Sequence, residues 1–442
     1  RKIVDNLKRT EGHPKEHLPL SIGDPTIYGN LKTPEVLVRA LEENLRSYRF
    51  NGYAHSAGTV EARTAVAKRS SVADFPVTAD DVVITSGASG ALDLAISVLL
   101  NPGENLLLPR PAFPLYQTLC ESKGIAVKHI RLLPEKDWEV DLEDLERQID
   151  DHTAAILITN PSNPCGYVYS KVRFDAPPFS NPPLPSSLRP LPVSLSTPFS
   201  SSFPLHYLSV GLTVRLSVRL SVRLSVCSPQ EHLEAIVAVA EKHCLPIIAD
   251  EIYENMVFSG ATFVPLASVS RHVPILSVSG IAKEFLVPGW RVGWVVVHDR
   301  DDLFRSVRTG LFSMSQLIIG SNTLIQSVLP LILAPEPGSD AAAAIAAFRA
   351  DLNRKLEINA EFTTARLSTI PGLRVVVPRG AMYVMVGVDA ASFSDIADDV
   401  EFTTKLLTEE NVIMLPGTIF GAPGYCRIVF SNPLEKLEDA YA

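Results

Sequence analysis

Residues 246–253 read Pro-Ile-Ile-Ala-Asp-Glu-Ile-Tyr, and residues 275–283 read Ile-Leu-Ser-Val-Ser-Gly-Ile-Ala-Lys. Each segment opens with a short, mostly apolar run without strict polar alternation, which predicts a strand buried on both faces. Reactive side chains follow these runs: Asp250 and Tyr253 after the first, Lys283 after the second. Open α/β sheets bind ligands at the carboxyl ends of their strands, so the two segments predict an α/β fold with a small-molecule site.

The same pattern extends across the middle of the chain and predicts a mostly parallel central sheet flanked by helices. The predicted strands are Val82–Thr85, Asn105–Leu108, Ala155–Thr159, Pro246–Ala249, Ile275–Val278 and Trp294–Val297, and the helices between them include Leu92–Leu100 and Leu233–His243. The C-terminal third predicts a smaller α+β arrangement: a helix at Asp340–Leu367, then Leu373–Pro378, Met382–Val388, a helix near Val400–Glu410 and Val412–Leu415. We predict a small domain from 1–50 and 326–442 and a large domain from 51–325.

Composition excludes several classes of protein. The 442 residues are 46% hydrophobic and carry a net charge of −9, which argues against binding to nucleic acid or to an anionic membrane. The five cysteines lack CxxC spacing, so neither a metal site nor a disulfide framework is indicated. We expect a cytoplasmic protein. A mitochondrial location is not excluded, because the chain starts at Arg1 and a targeting segment can precede it.

Residues 172–230 differ from the rest of the chain. They contain 10 prolines, 13 serines and one glycine, and a Ser-Val-Arg-Leu repeat runs through residues 213–226. Such composition buries too little apolar surface to offset the entropy of ordering, so we predict a disordered insertion in the large domain. The repeat is also typical of translated non-coding sequence such as a retained intron. Transcripts that all encode this segment would exclude that origin.

Four polar segments follow predicted strands and together suggest a cofactor. Gly87, Ala88 and Ser89 lie in a small-residue turn before a predicted helix, where exposed backbone N–H groups suit a phosphate, although a plain helix cap by Ser89 also fits. Asp250 can pair with a protonated pyridine nitrogen, and Lys283 can form a Schiff base unless it is an ordinary solvated lysine. The other members of the set are the phosphate-binding candidate Arg291 and the phenolate-binding candidates Tyr253 and Asn163. This combination predicts pyridoxal phosphate.

Beyond these residues, the sequence resembles the fold-type-I, class I/II pyridoxal-phosphate aminotransferases, within them the branch that acts on tyrosine. The resemblance rests on motifs along almost the whole chain outside 172–230. They are Ser21-Ile-Gly-Asp-Pro-Thr, Asn51-Gly-Tyr-Ala-His-Ser-Ala-Gly, Thr85-Ser-Gly-Ala-Ser, Pro109-Arg-Pro-Ala-Phe, Leu133-Pro-Glu-Lys-Asp-Trp, Asn160-Pro-Ser-Asn-Pro-Cys-Gly, Ala249-Asp-Glu-Ile-Tyr, Ala282-Lys with Pro288-Gly-Trp-Arg-Val-Gly-Trp, and Gly380-Ala-Met-Tyr.

The resemblance implies a role for each matching residue. Lys283, Asp250 and Tyr253 would be catalytic, with Lys283 bound to the cofactor and moving the substrate proton. Phe113 would stack on the cofactor ring, and Tyr53 would reach the phosphate of a neighbouring subunit in a homodimer with shared active sites. Arg427 would bind the substrate carboxylate, with Asn163 beside it. The implied cofactor-binding set is Gly87, Ala88, Ser89, Phe113, Asn163, Asp250, Tyr253, Ser279, Lys283, Arg291 and Tyr53.

One position departs from the family pattern, and the activity has alternatives. Gly280 stands where many relatives carry a phosphate-binding serine, so Ser277 or Ser279 would have to replace it. The implied reaction transfers the amino group of tyrosine, and of phenylalanine, to 2-oxoglutarate. A carbon–sulfur lyase uses the same residues, and an inactive fold disrupted by residues 172–230 is a further alternative. No metal, nucleic acid or membrane is expected to take part.

Overall fold

The computed structural model describes residues 12–169 and 229–442, and the predicted insertion lies outside them except for its last two residues. The strands are β1 Leu18–Pro19, β2 Val82–Thr85, β3 Asn105–Arg110, β4 Ala126–Leu133, β5 Glu139–Val140, β6 Thr153–Thr159, β7 Ile247–Asp250, β8 Ile275–Gly280, β9 Gly293–His298, β10 Leu373–Val375, β11 Tyr383–Val388, β12 Val412–Ile413, β13 Leu415–Pro416 and β14 Tyr425–Val429. The helices are α1 Glu35–Arg46, α2 Val60–Ser70, α3 Gly87–Leu99, α4 Leu115–Ser122, α5 Leu142–Gln148, α6 Pro229–Lys242, α7 Leu266–Val269, α8 Ile281–Glu284, α9 Arg305–Ser315, α10 Thr323–Gln326, α11 Leu329–Leu333, α12 Asp340–Leu367, α13 Asp399–Glu410 and α14 Leu434–Ala440.

The central sheet confirms the predicted α/β fold. Eight strands lie in the order β2-β9-β8-β7-β6-β3-β4-β5. The pairs β3/β4, β3/β6, β6/β7 and β7/β8 are parallel, whereas β9 runs antiparallel to both of its neighbours. Every residue of β2, β7, β8 and β9 is buried, which explains why these strands show no polar alternation.

The start of α3 differs from the sequence prediction. We expected a helix at Leu92–Leu100 after a small-residue turn, but the helix begins at Gly87 and takes in that turn. Gly87 has a φ of +72°, a left-handed conformation that glycine adopts without strain. Small residues carry no apolar periodicity, so the pattern revealed the helix only from its first large side chain.

A smaller antiparallel sheet, β10-β11-β14-β13, occupies the C-terminal part. The predicted strand Val412–Leu415 is wrong as a single strand, because the chain changes sheets at Met414. Before it, β12 pairs parallel with β1, and after it β13 pairs antiparallel with β14. The predicted strand Leu373–Pro378 ends at Val375.

The helix α12 has the predicted bounds and joins two parts of the core. Near its start, Ile345 packs in a cluster with Leu37 and Trp294, whereas Leu352 and later residues pack against the smaller sheet. Leu37, from the predicted small domain, therefore packs with residues of the predicted large one. The division at residues 50 and 326 stays a prediction. Within residues 12–169 and 229–442, no helix is long and apolar enough to cross a bilayer.

Candidate active site

The carboxyl ends of β2, β6, β7 and β8 meet at one edge of the central sheet, beside β14 of the smaller sheet. Pairing through β9 makes β2 parallel to β8, so the segments that follow these strands lie on the same side. The chain places the residues after Thr85, Thr159, Asp250 and Gly280 at this edge. Most of the residues predicted to react or to bind ligands are found there.

Asp250, the last residue of β7, is a buried carboxylate. Its Oδ2 accepts a hydrogen bond from the Tyr116 hydroxyl at 2.7 Å, and its Oδ1 accepts one from the Ile252 backbone N–H at 3.2 Å. Burial raises its pKa to about 6, although both hydrogen bonds lower it. Among the residues that the structure describes, no basic side chain pairs with Asp250. A protonated ring nitrogen would supply the missing cation.

Tyr253 and Lys283 follow β7 and β8. The Tyr253 hydroxyl lies 2.8 Å from the Tyr383 hydroxyl, and the two rings meet edge to face with centroids 5.7 Å apart. The Lys283 Nζ donates to the backbone carbonyl of Gly23. A Cβ on Gly23 would collide with the Tyr383 hydroxyl, so only glycine lets the N-terminal segment approach this closely.

Arg427 on β14 carries a buried guanidinium. Its Nη1 donates to Asn163 Oδ1 at 3.0 Å, its Nη2 donates to the Ser21 carbonyl, and its Nε has no partner within the described part of the chain. The rings of Tyr383 and Phe420 each have their centroid 4.7 Å from its Cζ. Burial lowers its pKa. No acidic side chain of the described residues forms an ion pair with it, so a ligand carboxylate fits here.

The start of α3 and Arg291 form a turn suited to a phosphate. The helix begins after Ser86 without any side-chain cap, so the cap by Ser89 that we considered is not made and backbone N–H groups stay available. Arg291 lies against this turn: a Cβ on Gly87 would be 2.5 Å from its Nη2, which itself donates to the Ser86 carbonyl at 3.2 Å. A Cβ on Gly293 would be 2.5 Å from the Ala88 nitrogen, so two glycines allow the approach.

With this geometry in place, comparison with known proteins gives the family. The model of the family described as aminotransferase class I and II matches residues 15–174 and 226–441. The chain belongs to this family. It is 41% identical over 443 residues to a tyrosine aminotransferase of Dictyostelium discoideum, covering 100% of this chain and 91% of that protein. The gap between the two matched segments lies inside the predicted insertion.

Further relatives agree with this assignment. The chain is 41% identical over 434 residues to a human tyrosine aminotransferase, covering 98% of this chain and 81% of that protein. Among solved structures, a tyrosine aminotransferase from Leishmania infantum superposes with a TM-score of 0.78 at 31% identity. That match covers 99% of this chain and 93% of the other. The chain is thus an aminotransferase, and its fold is that of the class I and II family.

Three further residues predicted to bind the cofactor have different surroundings in this chain. Tyr53 is 93% exposed and makes no contact with the site within the described chain. Phe113 is half-buried, and its ring meets the Tyr116 ring edge-on at 5.8 Å. The Ser279 hydroxyl lies 3.3 Å from the Glu254 carboxylate, and the alternative Ser277 bonds to His298 Nε2 at 3.0 Å. Neither serine bonds to the turn at Gly87.

Sequence reasoning missed Tyr116 and gave no role to Tyr383 or Phe420. Tyr116 is fully buried and links Asp250 to Thr159, whose hydroxyl is 2.9 Å away. One signal was present: Tyr116 follows Phe113, a predicted cofactor-binding residue, by only three residues, and the two rings pack edge to face. Tyr383 belonged to a quoted motif, but only the folded chain shows that it contacts both Tyr253 and Arg427.

Proposed function

We propose that this aminotransferase uses pyridoxal phosphate to transfer the amino group of L-tyrosine, and of phenylalanine, to 2-oxoglutarate, giving 4-hydroxyphenylpyruvate and glutamate. The observation that supports it best is a pair of buried charges at one site, the Asp250 carboxylate and the Arg427 guanidinium, neither of which has an ion-pair partner among residues 12–169 and 229–442. An amino acid substrate supplies a carboxylate for Arg427, and a pyridinium supplies a cation for Asp250. Tyrosine as the donor is inferred from the relatives named above.

The residues present fit the cofactor. Its phosphate would bind at the uncapped start of α3, formed by Gly87, Ala88 and Ser89, with Arg291 as counter-charge. Its ring nitrogen would pair with Asp250, and its phenolate oxygen would accept hydrogen bonds from Tyr253 and Asn163. Phe113 would lie against the ring. Ser279 is proposed with less direct support, because its hydroxyl already faces Glu254.

Each side chain then has a defined task. Bound pyridoxal phosphate supplies an electron-poor ring that accepts the electron pair left when the substrate Cα–H bond breaks. Lys283 takes that proton from Cα and returns one to the cofactor carbon. Asp250 keeps the ring nitrogen protonated, since its pKa of about 6 leaves it mostly ionised at neutral pH. Arg427 and Asn163 orient the substrate through its carboxylate.

We also propose a homodimer with shared active sites. The apolar residues around Tyr53 are exposed to water, which is unfavourable for apolar surface, and they include Tyr48 at 77% exposure and Leu317 at 80%. The segment that carries Leu317 lies close to the segment that carries Tyr53. At Gly320 the two segments approach each other, since a Cβ there would be 3.2 Å from the Ser56 carbonyl. A second copy covering this surface would bury Tyr53 and bring it to the neighbour's phosphate turn. We place the enzyme in the cytoplasm.

The test is a panel of amino donors with the purified full chain and 2-oxoglutarate. We expect release of hydroxyphenylpyruvate from tyrosine, and loss of both turnover and the visible absorption of lysine-bound cofactor in Lys283→Ala. Lys355→Ala, which removes a partly exposed lysine of α12 that pairs with Asp351, is the matched control. Pyruvate release from cystine without tyrosine transamination would instead support the lyase. A chain lacking residues 172–228 tests the inactive alternative, which predicts activity only after that deletion.

A further inference from the structure

A network of four charged side chains, between 5% and 31% exposed, lies directly behind the proposed site. Arg69, on α2, donates to Glu254 from Nε at 3.1 Å and from Nη2 at 2.7 Å, and to Glu284 from Nη2 at 2.7 Å. Arg349, on α12, donates to Glu284 at 2.5 Å. The Arg69 side chain is 11% exposed and that of Glu284 only 5%. One guanidinium therefore bridges two carboxylates that belong to different turns.

The two carboxylates are the immediate neighbours of proposed catalytic residues. Glu254 follows Tyr253 in the turn after β7, and Glu284 follows Lys283 in the short helix α8. The turn after β7 has a further tie to β8, because the Ser279 hydroxyl lies 3.3 Å from Glu254. Arg69 is thus bonded to the residue that follows Tyr253 and to the residue that follows Lys283. Its hydrogen bonds go to these two neighbours and not to Tyr253 or Lys283.

Simple stabilisation accounts poorly for this arrangement. Burying an ion pair costs solvation energy that the attraction between the charges barely offsets. Apolar side chains at these positions would therefore stabilise the core at least equally well. A planar guanidinium offers something that apolar packing lacks, because its donors hold two acceptors at a fixed separation. Here the separation that it fixes is the one between the turn carrying Tyr253 and the helix carrying Lys283.

We propose that Arg69 is a positioning residue for the transamination reaction, holding Lys283 and Tyr253 in register through Glu284 and Glu254. The proposal rests on the function proposed above. A misplacement of about 1 Å at a reacting group can cost about 100-fold in rate. Loss of Arg69 should therefore lower kcat far more than it raises KM, since Arg427 and Asn163 do not depend on this network.

The experiment compares Arg69→Met with Arg63→Met as its matched control. Arg63 lies on the same helix, is also buried, and donates to the backbone carbonyls of Gly58 and Ala79, away from the two turns. For Arg69→Met we expect kcat to fall about 10- to 100-fold with KM within about threefold. We also expect a changed visible circular dichroism of the bound cofactor. Arg63→Met should lose thermal stability but keep both properties.

Two more variants separate bridging from charge compensation. Arg349→Met removes only the outer partner of Glu284, and we expect kcat within about threefold of the unmodified enzyme, because the bridge stays. Arg69→Lys keeps the charge but cannot fork onto two carboxylates, so its kcat should lie between those of the unmodified enzyme and Arg69→Met. If Arg69→Met does not fold, Arg69→Lys alone tests whether the bridge sets kcat.

The outcomes decide the proposal. Unchanged kcat and circular dichroism in Arg69→Met, full activity of Arg69→Lys, or an equal loss in Arg63→Met or Arg349→Met would each overturn it. Failure of the unmodified enzyme to transaminate tyrosine would instead refute the proposed function. The circular dichroism of the cofactor-loaded variants would still report on Arg69 in that case.

Discussion

Asp250→Asn should make the cofactor-free protein more stable and its binding of cofactor weaker. Burial raises the pKa of Asp250 from 3.8 to about 6, so the folded chain holds this proton more tightly than the unfolded chain. The stabilising contribution of the protonated carboxyl is fully present below about pH 4 and is lost as pH rises through about 6. Above that pH, the folded protein carries a buried and uncompensated anion.

The size of the effect follows from the difference between the two pKa values. A shift from 3.8 to about 6 corresponds to about 3 kcal/mol of lost stability at high pH, of which about 1.5 kcal/mol develops between pH 5 and 7.5. The asparagine side chain of the Asp250→Asn variant can make the same contacts as the protonated carboxyl. The Ile252 N–H can still donate to the amide oxygen, and the Tyr116 hydroxyl can turn to accept from the amide nitrogen while donating to Thr159, 2.9 Å away.

Urea unfolding of the cofactor-free proteins at pH 5 and pH 7.5 measures this prediction. The advantage of Asp250→Asn in free energy of unfolding should grow by about 1.5 kcal/mol between the two conditions. Asp151→Asn, at an exposed position, should show no such growth. Equilibrium dialysis should show cofactor affinity reduced at least about 100-fold, because one partner of a buried ion pair is removed. A pH-independent difference in stability, or unchanged affinity for the cofactor, would refute the reasoning.

Two other substitutions test the two ends of the site. Arg427→Lys should raise KM for tyrosine about 10- to 100-fold in steady-state assays, because a lysine cannot fork onto a carboxylate. An unchanged KM would remove Arg427 from the substrate site. Tyr116→Phe should weaken cofactor binding about 10-fold by equilibrium dialysis, because a hydrogen bond that lowers the pKa of Asp250 is lost. Unchanged binding would show that Tyr116 acts only in packing.

The buried strands were predictable from sequence because both faces of the central sheet are covered. Uniform burial gives continuous apolar runs, so Val82–Thr85 has the predicted bounds and Ile275–Gly280 extends the prediction by two residues. The short pairings were not predictable: β1 and β12 have two residues each and depend on a contact between distant parts of the chain. The sheet change at Met414 is likewise a tertiary feature without a local signal.

The site also contains residues that a local sequence pattern predicted and residues that no local pattern marks. Asp250 and Lys283 followed from their position after buried strands, a rule of chain geometry. Arg427 came only from the family resemblance, since an arginine on a strand carries no local mark of its use. The bond of Tyr116 to Asp250 joins residues 134 apart in sequence, and only the fold brings them together. The role of Ser279 stays a prediction, and its hydroxyl lies 3.3 Å from the Glu254 carboxylate.

Two groups of charged side chains at and behind the site have different tasks. Arg69 and Arg349 are matched by Glu254 and Glu284, so that network needs no ligand and suits positioning. Asp250 and Arg427 have no partner of opposite charge among the described residues, although an unpaired buried charge costs several kcal/mol.

Glu251, next to Asp250, shows that burial alone does not make a ligand site. Burial raises its pKa to about 8, so at neutral pH it is mostly uncharged, and it accepts a hydrogen bond from the Leu266 N–H at 2.8 Å. Asp250, with a pKa of about 6, stays mostly ionised under the same conditions. Of these two adjacent buried acids, Asp250 is the one that keeps its charge at neutral pH, which agrees with the assignment of the pyridinium to it.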